Sequence, residues 1–122
     1  MKTLLIIITG VCIFAWIVTR PYPQPPATSV TVTASWYGDE CAGNRTANGE
    51  RFDPSAMTCA MWDVPFDTRV RVQLGPRFVI VRVNDRGPAK RLNRGIDLSE
   101  AAFSKLADTD AGLITVELTI LP

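Results

Sequence analysis

The chain opens on one block of apolar residues and then changes character. Leu4 to Val18, LLIIITGVCIFAWIV, is nearly all apolar, follows Lys2 and ends at Arg20-Pro21. A basic start before an apolar stretch of this length fits a secretory signal. The run is shorter than the roughly 20 residues of a standard spanning helix. As a helix, residues 3–19 would still reach about 26 Å, enough for a thinned bilayer. Residues 1–19 therefore read either as an uncleaved signal anchor or as a cleaved signal peptide. No small-x-small pair just after Val18 marks a cleavage point. Cys12 follows Val11, not the small residue of a lipoprotein signal, and reads as an apolar membrane residue. On both readings the remainder is exported, periplasmic or in the cell envelope, and on the first it is anchored in the inner membrane by residues 4–18. Residues 20–29, RPYPQPPATS, hold four prolines and read as a semi-rigid polyproline-like spacer.

From residue 30 the pattern alternates. Val30 to Trp36 (VTVTASW), Val70 to Leu74 (VRVQL, Arg71 outward), Arg77 to Val83 (RFVIVRV) and Leu113 to Leu121 (LITVELTIL) all read as strands. Leu74-Gly75-Pro76-Arg77 predicts a tight hairpin connection. One segment is helical: EAAFSKLA follows Ser99, a good N-cap, with Glu100 in the first turn. Ala102, Phe103 and Leu106 would share its buried face. Several short strands and one short helix within residues 30–122 predict a closed β-barrel.

Charge and composition narrow the chemistry. From Thr28 onward there are eleven basic and twelve acidic residues, so the domain is nearly neutral and lacks the dense basic footprint of a nucleic-acid binder. There is no histidine, which excludes Ser-His-Asp and Cys-His sites and any His-containing zinc site. Cys12, Cys41 and Cys59 are too few for a four-cysteine metal site, and no nucleotide loop is present, so no metal or cofactor is expected. Outside the membrane, Cys41 and Cys59 would meet an oxidising environment. They are expected to form a disulfide closing a loop of about 18 residues, worth about 3 kcal/mol in the chain-entropy account. Two separately buried thiols are the alternative.

Four stretches in order carry a family likeness: ASWYG (34–38), TANGERFDP (46–54), VNDRGP (83–88) and IDLS (96–99) followed by Ala-Ala-Phe. Together they resemble the rare lipoprotein A family over about residues 32–121. The resemblance implies a mainly β fold, a six-stranded double-psi β-barrel with one short helix, related to barwin, expansins and family-45 endoglucanases. It also implies lytic transglycosylase action on peptidoglycan glycan strands, cleaving the MurNAc–GlcNAc linkage to leave 1,6-anhydro-MurNAc ends. Glycan strands, and the membrane if the first segment stays uncleaved, are then the partners, and the domain is expected to be a monomer.

Cleaving a glycosidic bond takes a proton for the leaving oxygen and stabilisation of an oxocarbenium-like transition state. When the sugar's own 6-hydroxyl attacks, one carboxyl group can serve as acid and then base. Asp85, at the end of RFVIVRV and before Arg86-Gly87-Pro88, matches a proposed catalytic aspartate of the resembling family. Glu50, after Asn48-Gly49, matches its TANGE glutamate, also proposed as catalytic. An apolar setting would raise the Glu50 pKa and suit it to the acid role. Turn capping by Asp85 and a solvated turn charge at Glu50 are the plain structural readings of the same residues. Asp97 reads as a helix-start residue before a catalytic one, and Asp53 before Pro54 as turn chemistry. Trp36 and Tyr37 are candidates to stack on sugar rings, with core packing the alternative. Arg82, Arg86, Lys90, Arg91 and Arg94 form a basic run suited to carboxylates of the substrate, Arg86 nearest Asp85. The family commonly has histidine where Met61 stands here, and methionine moves no proton. Met61 with Trp62 could instead build an apolar sugar platform, or simply pack. The departure leaves a second function open: an expansin-like module that binds wall glycan without cutting it. A barwin-like defence or inhibitor domain is a third, and TANGE and NDRGP suit it less.

Overall fold

The computed structural model describes residues 28–122; the expected signal or anchor and most of the Pro-rich spacer lie outside the described residues. Six strands, β1 (Val30–Tyr37), β2 (Thr58–Ala60), β3 (Arg69–Leu74), β4 (Arg77–Asp85), β5 (Ile96–Ser99) and β6 (Ile114–Ile120), close into a barrel ordered β1-β5-β2-β4-β3-β6. β1 runs parallel to β5 and β2 parallel to β4, while the remaining neighbours are antiparallel. Alternation drives the assembly. Val70, Val72, Val79, Val81 and Val83 turn inward and meet Ala34, Ile96, Leu98, Val116 and Leu118 in one buried core. The β3–β4 hairpin pairs Leu74 with Arg77, and Gly75 supplies the positive φ of 58° the turn needs. Outside it Arg71 lays its guanidinium 4.5 Å from the Phe78 ring centre.

The helix α1 (Glu100–Ser104) is short and capped as its sequence suggests. Ser99 Oγ accepts from the Ala102 N–H at 3.2 Å and donates to the Ala56 carbonyl at 2.5 Å. Ala102, Phe103 and Leu106 are buried. Asp97 does not help start this helix: it sits inside β5, paired with Ser35 and Ala60.

The expected Cys41–Cys59 disulfide is not formed; both thiols are free. Cys59 lies in β2 between Val83 and Leu98, in the barrel core, and burial pushes its thiol up to about 12. Cys41 lies in a 3-10 turn after β1 has left the sheet. Backbone bonds close the loop between them: Gly43 N–H to Phe52 O at 3.0 Å and Phe52 N–H to Asn44 O at 2.8 Å.

Gly95 is where the chain after β4 meets β1, its N–H donating to Thr33 O at 2.9 Å. A Cβ there would stand 2.5 Å from Val32 Cβ. Gly95→Ala is therefore expected to cost about 1–3 kcal/mol of stability through overpacking, read by thermal unfolding. An unchanged melting temperature would show that β1 gives way there.

Candidate active site

Strand pairing lines up one row on the outer wall. Ser35 on β1 faces Asp97 on β5, Asp97 faces Ala60 on β2, and Ala60 faces Asp85 on β4. Asp97 points outward because its neighbours Ile96 and Leu98 point into the core. Asp85 joins it through a bulge. Cys59 pairs with Val83 but Ala60 pairs with Asp85, so Asn84 is an extra residue. By plain alternation Asp85, two residues after Val83, would share its inward side; the bulge turns it out. The two aspartates flank Ala60, their Cα atoms about 10 Å apart at two strand spacings.

Asp85 Oδ1 accepts from the Ala47 N–H at 2.8 Å and the Arg86 N–H at 2.9 Å. Oδ2 takes no hydrogen bond among the described residues. The same carboxylate thus caps its own turn and ties down the TANGE loop, leaving one oxygen free.

Asp97 accepts from Ser35 Oγ at 3.0 Å. Burial raises its carboxyl pKa, and the charges of Asp85 and Glu40 add to the rise; Ser35 and Arg94 pull the other way. Tyr37 stacks on Phe52, ring centres 4.3 Å apart and 22° from parallel. Its buried hydroxyl has no partner among the described residues. Burial, then the nearby Asp85 and Asp97, raise its pKa, so it stays a proton-bearing donor.

Glu50 is held differently. Arg82 donates to both its oxygens, at 2.8 and 2.9 Å, Asn48 to Oε1 at 2.9 Å and Asn84 to Oε2 at 3.2 Å. These bonds, Arg82's first, lower its pKa to about 2. Arg82 also reaches Asp67 at 3.0 Å. The apolar setting that would suit Glu50 to donate a proton is absent, and both of its oxygens are engaged. Since its folded pKa lies below the ordinary 4.5, it stabilises the fold above that pH and loses the contribution as pH falls toward 2. The pair is well exposed, the side chains 38% and 41% accessible, so the effect is about 1 kcal/mol after solvent screening. Glu50→Gln should lower stability at pH 7 and leave it nearly unchanged at pH 2, as chemical denaturation at the two pH values would show. Equal losses at both would place the effect in shape, not charge.

The other candidates separate. Trp36 pairs with Leu98, on the face opposite Asp97, tilts against Phe103 at 6.4 Å and donates to Thr109 O at 3.0 Å. Met61 is 8% exposed and packs in the core. Its carbonyl accepts from Arg86 Nη1 at 3.2 Å, and Arg86 lies 3.9 Å over the Phe66 ring centre. The solvent-facing aromatic beside Met61 is Trp62, 39% exposed, with Lys90 Nζ 5.1 Å from its ring centre. Asp53 caps its turn as expected, accepting from Ser55 N–H at 2.9 Å and Ser55 Oγ at 2.6 Å. Among the described residues no group of three His, Cys, Asp or Glu could hold a metal ion. Sequence reading put Asp97 at the helix start and did not weigh the Tyr37 hydroxyl. The alternation Ile96-Asp97-Leu98 is the trace that placed Asp97 on a strand's outer face, but four residues are too few to establish a period.

A closed six-stranded barrel with two parallel pairings and an acidic row on its outer wall defines a double-psi β-barrel with a carboxylate-lined surface. The chain belongs to the family described as lytic transglycolase, which residues 29–118 match. It is 46% identical over 107 residues to the "Probable endolytic peptidoglycan transglycosylase RlpA" of Nostoc sp., covering 81% of this chain and 29% of that protein. It is 42% identical over 100 residues to the endolytic peptidoglycan transglycosylase RlpA of Neisseria meningitidis serogroup A, covering 80% and 41%. The chain thus spans less than half the length of these relatives. Among solved structures it resembles the Streptomyces papain inhibitor, with TM-score 0.65, 27% identity and coverage of 82% and 100%. It also shares its fold with a Clavibacter michiganensis expansin, at TM-score 0.62, 21% identity and coverage of 78% and 51%.

Proposed function

We propose that the chain cuts peptidoglycan glycan strands as a lytic transglycosylase, with Asp97 as proton donor and Asp85 as the facing base. The observation that carries this reading is the outward row Asp97–Ala60–Asp85, with Asp85 Oδ2 unengaged. The relatives' names supply the substrate. Asp97, held protonated more readily by burial, gives its proton to the leaving glycosidic oxygen as the C1–O bond breaks. The 6-hydroxyl of the same sugar attacks C1 and passes its proton to Asp85 Oδ2, closing the 1,6-anhydro ring. Proton exchange with water restores both groups. Glu50 is a positioning residue: with Arg82 and Asn84 it fixes the bulge that aims Asp85. Nothing in this sequence of steps calls on the family histidine replaced by Met61. In this reading residues 1–19 direct export, as signal or anchor.

The test is mass spectrometry of products from the full chain on purified peptidoglycan, intact and amidase-stripped. Ends in 1,6-anhydro-MurNAc, lost with Asp85→Asn, are expected. Reducing ends would mean a hydrolase. Sugar binding without any product would favour an expansin-like binding module, the reading Met61 leaves open.

A further inference from the structure

Strand direction sorts the loops between the two ends of the barrel. β1, β3 and β5 run one way, and β2, β4 and β6 the other. One end therefore gathers the start of β1 at Val30, the β2–β3 loop (61–68), the β4–β5 loop (86–95) and the close of β6 at Ile120. The two loops are tied together there. Trp62 Nε1 donates to Pro88 O at 2.6 Å, and Arg86 Nη1 donates to the Met61 carbonyl at 3.2 Å. Lys90 lies over the Trp62 ring and Arg86 over the Phe66 ring.

Side-chain chemistry is sorted in the same way. Among the large apolar side chains exposed in the described residues, Val30, Trp62, Phe66, Leu92 and Ile120 belong to this end, and Phe78 and Leu113 to the other. Arg69, Arg86, Lys90, Arg91 and Arg94 belong to the same end as the larger group. Of the acids there, Asp67 is paired with Arg82 and Asp85 accepts from two backbone N–H groups, which leaves Asp63. The TANGE loop folds back along the barrel to Asp85. Apart from it, the opposite end carries Asp39, Glu40, Glu100, Asp108 and Asp110 against Lys105 and Arg77. A nearly neutral domain is thus basic and apolar at one end and acidic at the other.

The preceding chain joins the basic end, at Val30. Residues 20–29 reach at most about 35 Å when fully extended. An anchor at residues 4–18 would hold Val30 within about that distance of a bilayer. Aromatic rings beside cations suit a membrane interface, and each cation near an anionic leaflet shifts binding about fivefold. We propose that this end of the barrel docks on the bilayer surface, its cations on anionic lipid headgroups and Trp62, Phe66 and Leu92 in the interface. The inference takes the anchor reading of residues 1–19 and adds a second, weaker contact with the same membrane, which the tether makes effective by raising its local concentration.

The experiment places the full chain on vesicles of phosphatidylcholine alone or mixed with phosphatidylglycerol. It reads quenching of Trp62 by lipids brominated near the headgroup, and the difference from Trp62→Phe separates that ring from Trp16 and Trp36. Quenching is expected on the mixed vesicles at low salt and should fade as salt rises. Lys90→Gln together with Arg91→Gln should lower the docked-to-free ratio about 25-fold, at about fivefold per cation, while Lys105→Gln at the acidic end leaves it alone. Equal quenching on both vesicle types, or quenching indifferent to Lys90 and Arg91, overturns the inference. So does an unquenched Trp62 on chains that their first segment holds to the vesicles. Flotation separates the two readings. Chains that float with the mixed vesicles but not with phosphatidylcholine alone have a docking end and no anchor. Chains that float with neither overturn both.

Discussion

Asp85→Asn should lower glycan cleavage by about 10³-fold while leaving the fold as it is. The asparagine carbonyl can still accept from the Ala47 and Arg86 N–H groups, which Oδ1 holds at 2.8 and 2.9 Å, so the turn and the TANGE loop stay docked. What changes is Oδ2, where an amide replaces the oxygen proposed to take the 6-hydroxyl proton. General acid–base groups contribute about 10²–10⁴ in rate, which sets the size of the loss. Release of anhydro-sugar ends, with circular dichroism as the fold check, decides it. Activity within a factor of a few of wild type would assign Asp85 to turn capping alone.

Asp97→Asn should cost a comparable factor in rate but act on stability with the opposite sign. Burial raises the Asp97 pKa above its ordinary 3.8, so the folded state binds that proton more readily than the unfolded chain. Stability therefore falls as pH rises through the folded value, and the penalty is complete above it. Asparagine carries no charge to desolvate and can still accept from Ser35. At pH 7 the variant should melt above wild type, and near pH 3 the gain should vanish. A proton donor is needed protonated, so wild-type cleavage should decline as pH climbs through the same range, and the variant should lack that limb. Activity lost without a stability gain would show that Asp97 is not strained by its setting. A gain in stability with full activity would remove it from the chemistry.

Long alternating segments made the barrel legible: Val79, Val81 and Val83 announce the core face of β4, and the hairpin follows from Gly75-Pro76. β2 and β5, three and four residues long, carry no readable period and acquire their identity from partners. The same distance in sequence hid the partners of the candidate residues. Asp97 is defined by Ser35, 62 residues earlier, and Glu50 by Arg82, 32 residues later. Read locally, Asp97 looked like a helix start, and nothing near Glu50 announced the Arg82 pair that holds both its oxygens. The cysteines failed for a related reason. Spacing and compartment argued for a bridge, but the inward side of β2 gives Cys59 to the core.

Strand β6 closes the barrel by pairing with both β1 and β3. β1 meanwhile needs β5, with Ala34 facing Ile96. An open sheet β1-β5-β2-β4-β3 needs the chain only through Ser99, but within it only the β3–β4 hairpin joins near neighbours. Contacts of such high sequence separation make folding slow. A nascent chain emerging from a ribosome would hold β1 without its neighbours until β5 and then β6 had emerged. Closure of the barrel is thereby postponed until β6 has emerged, and until then the polypeptide remains threadable.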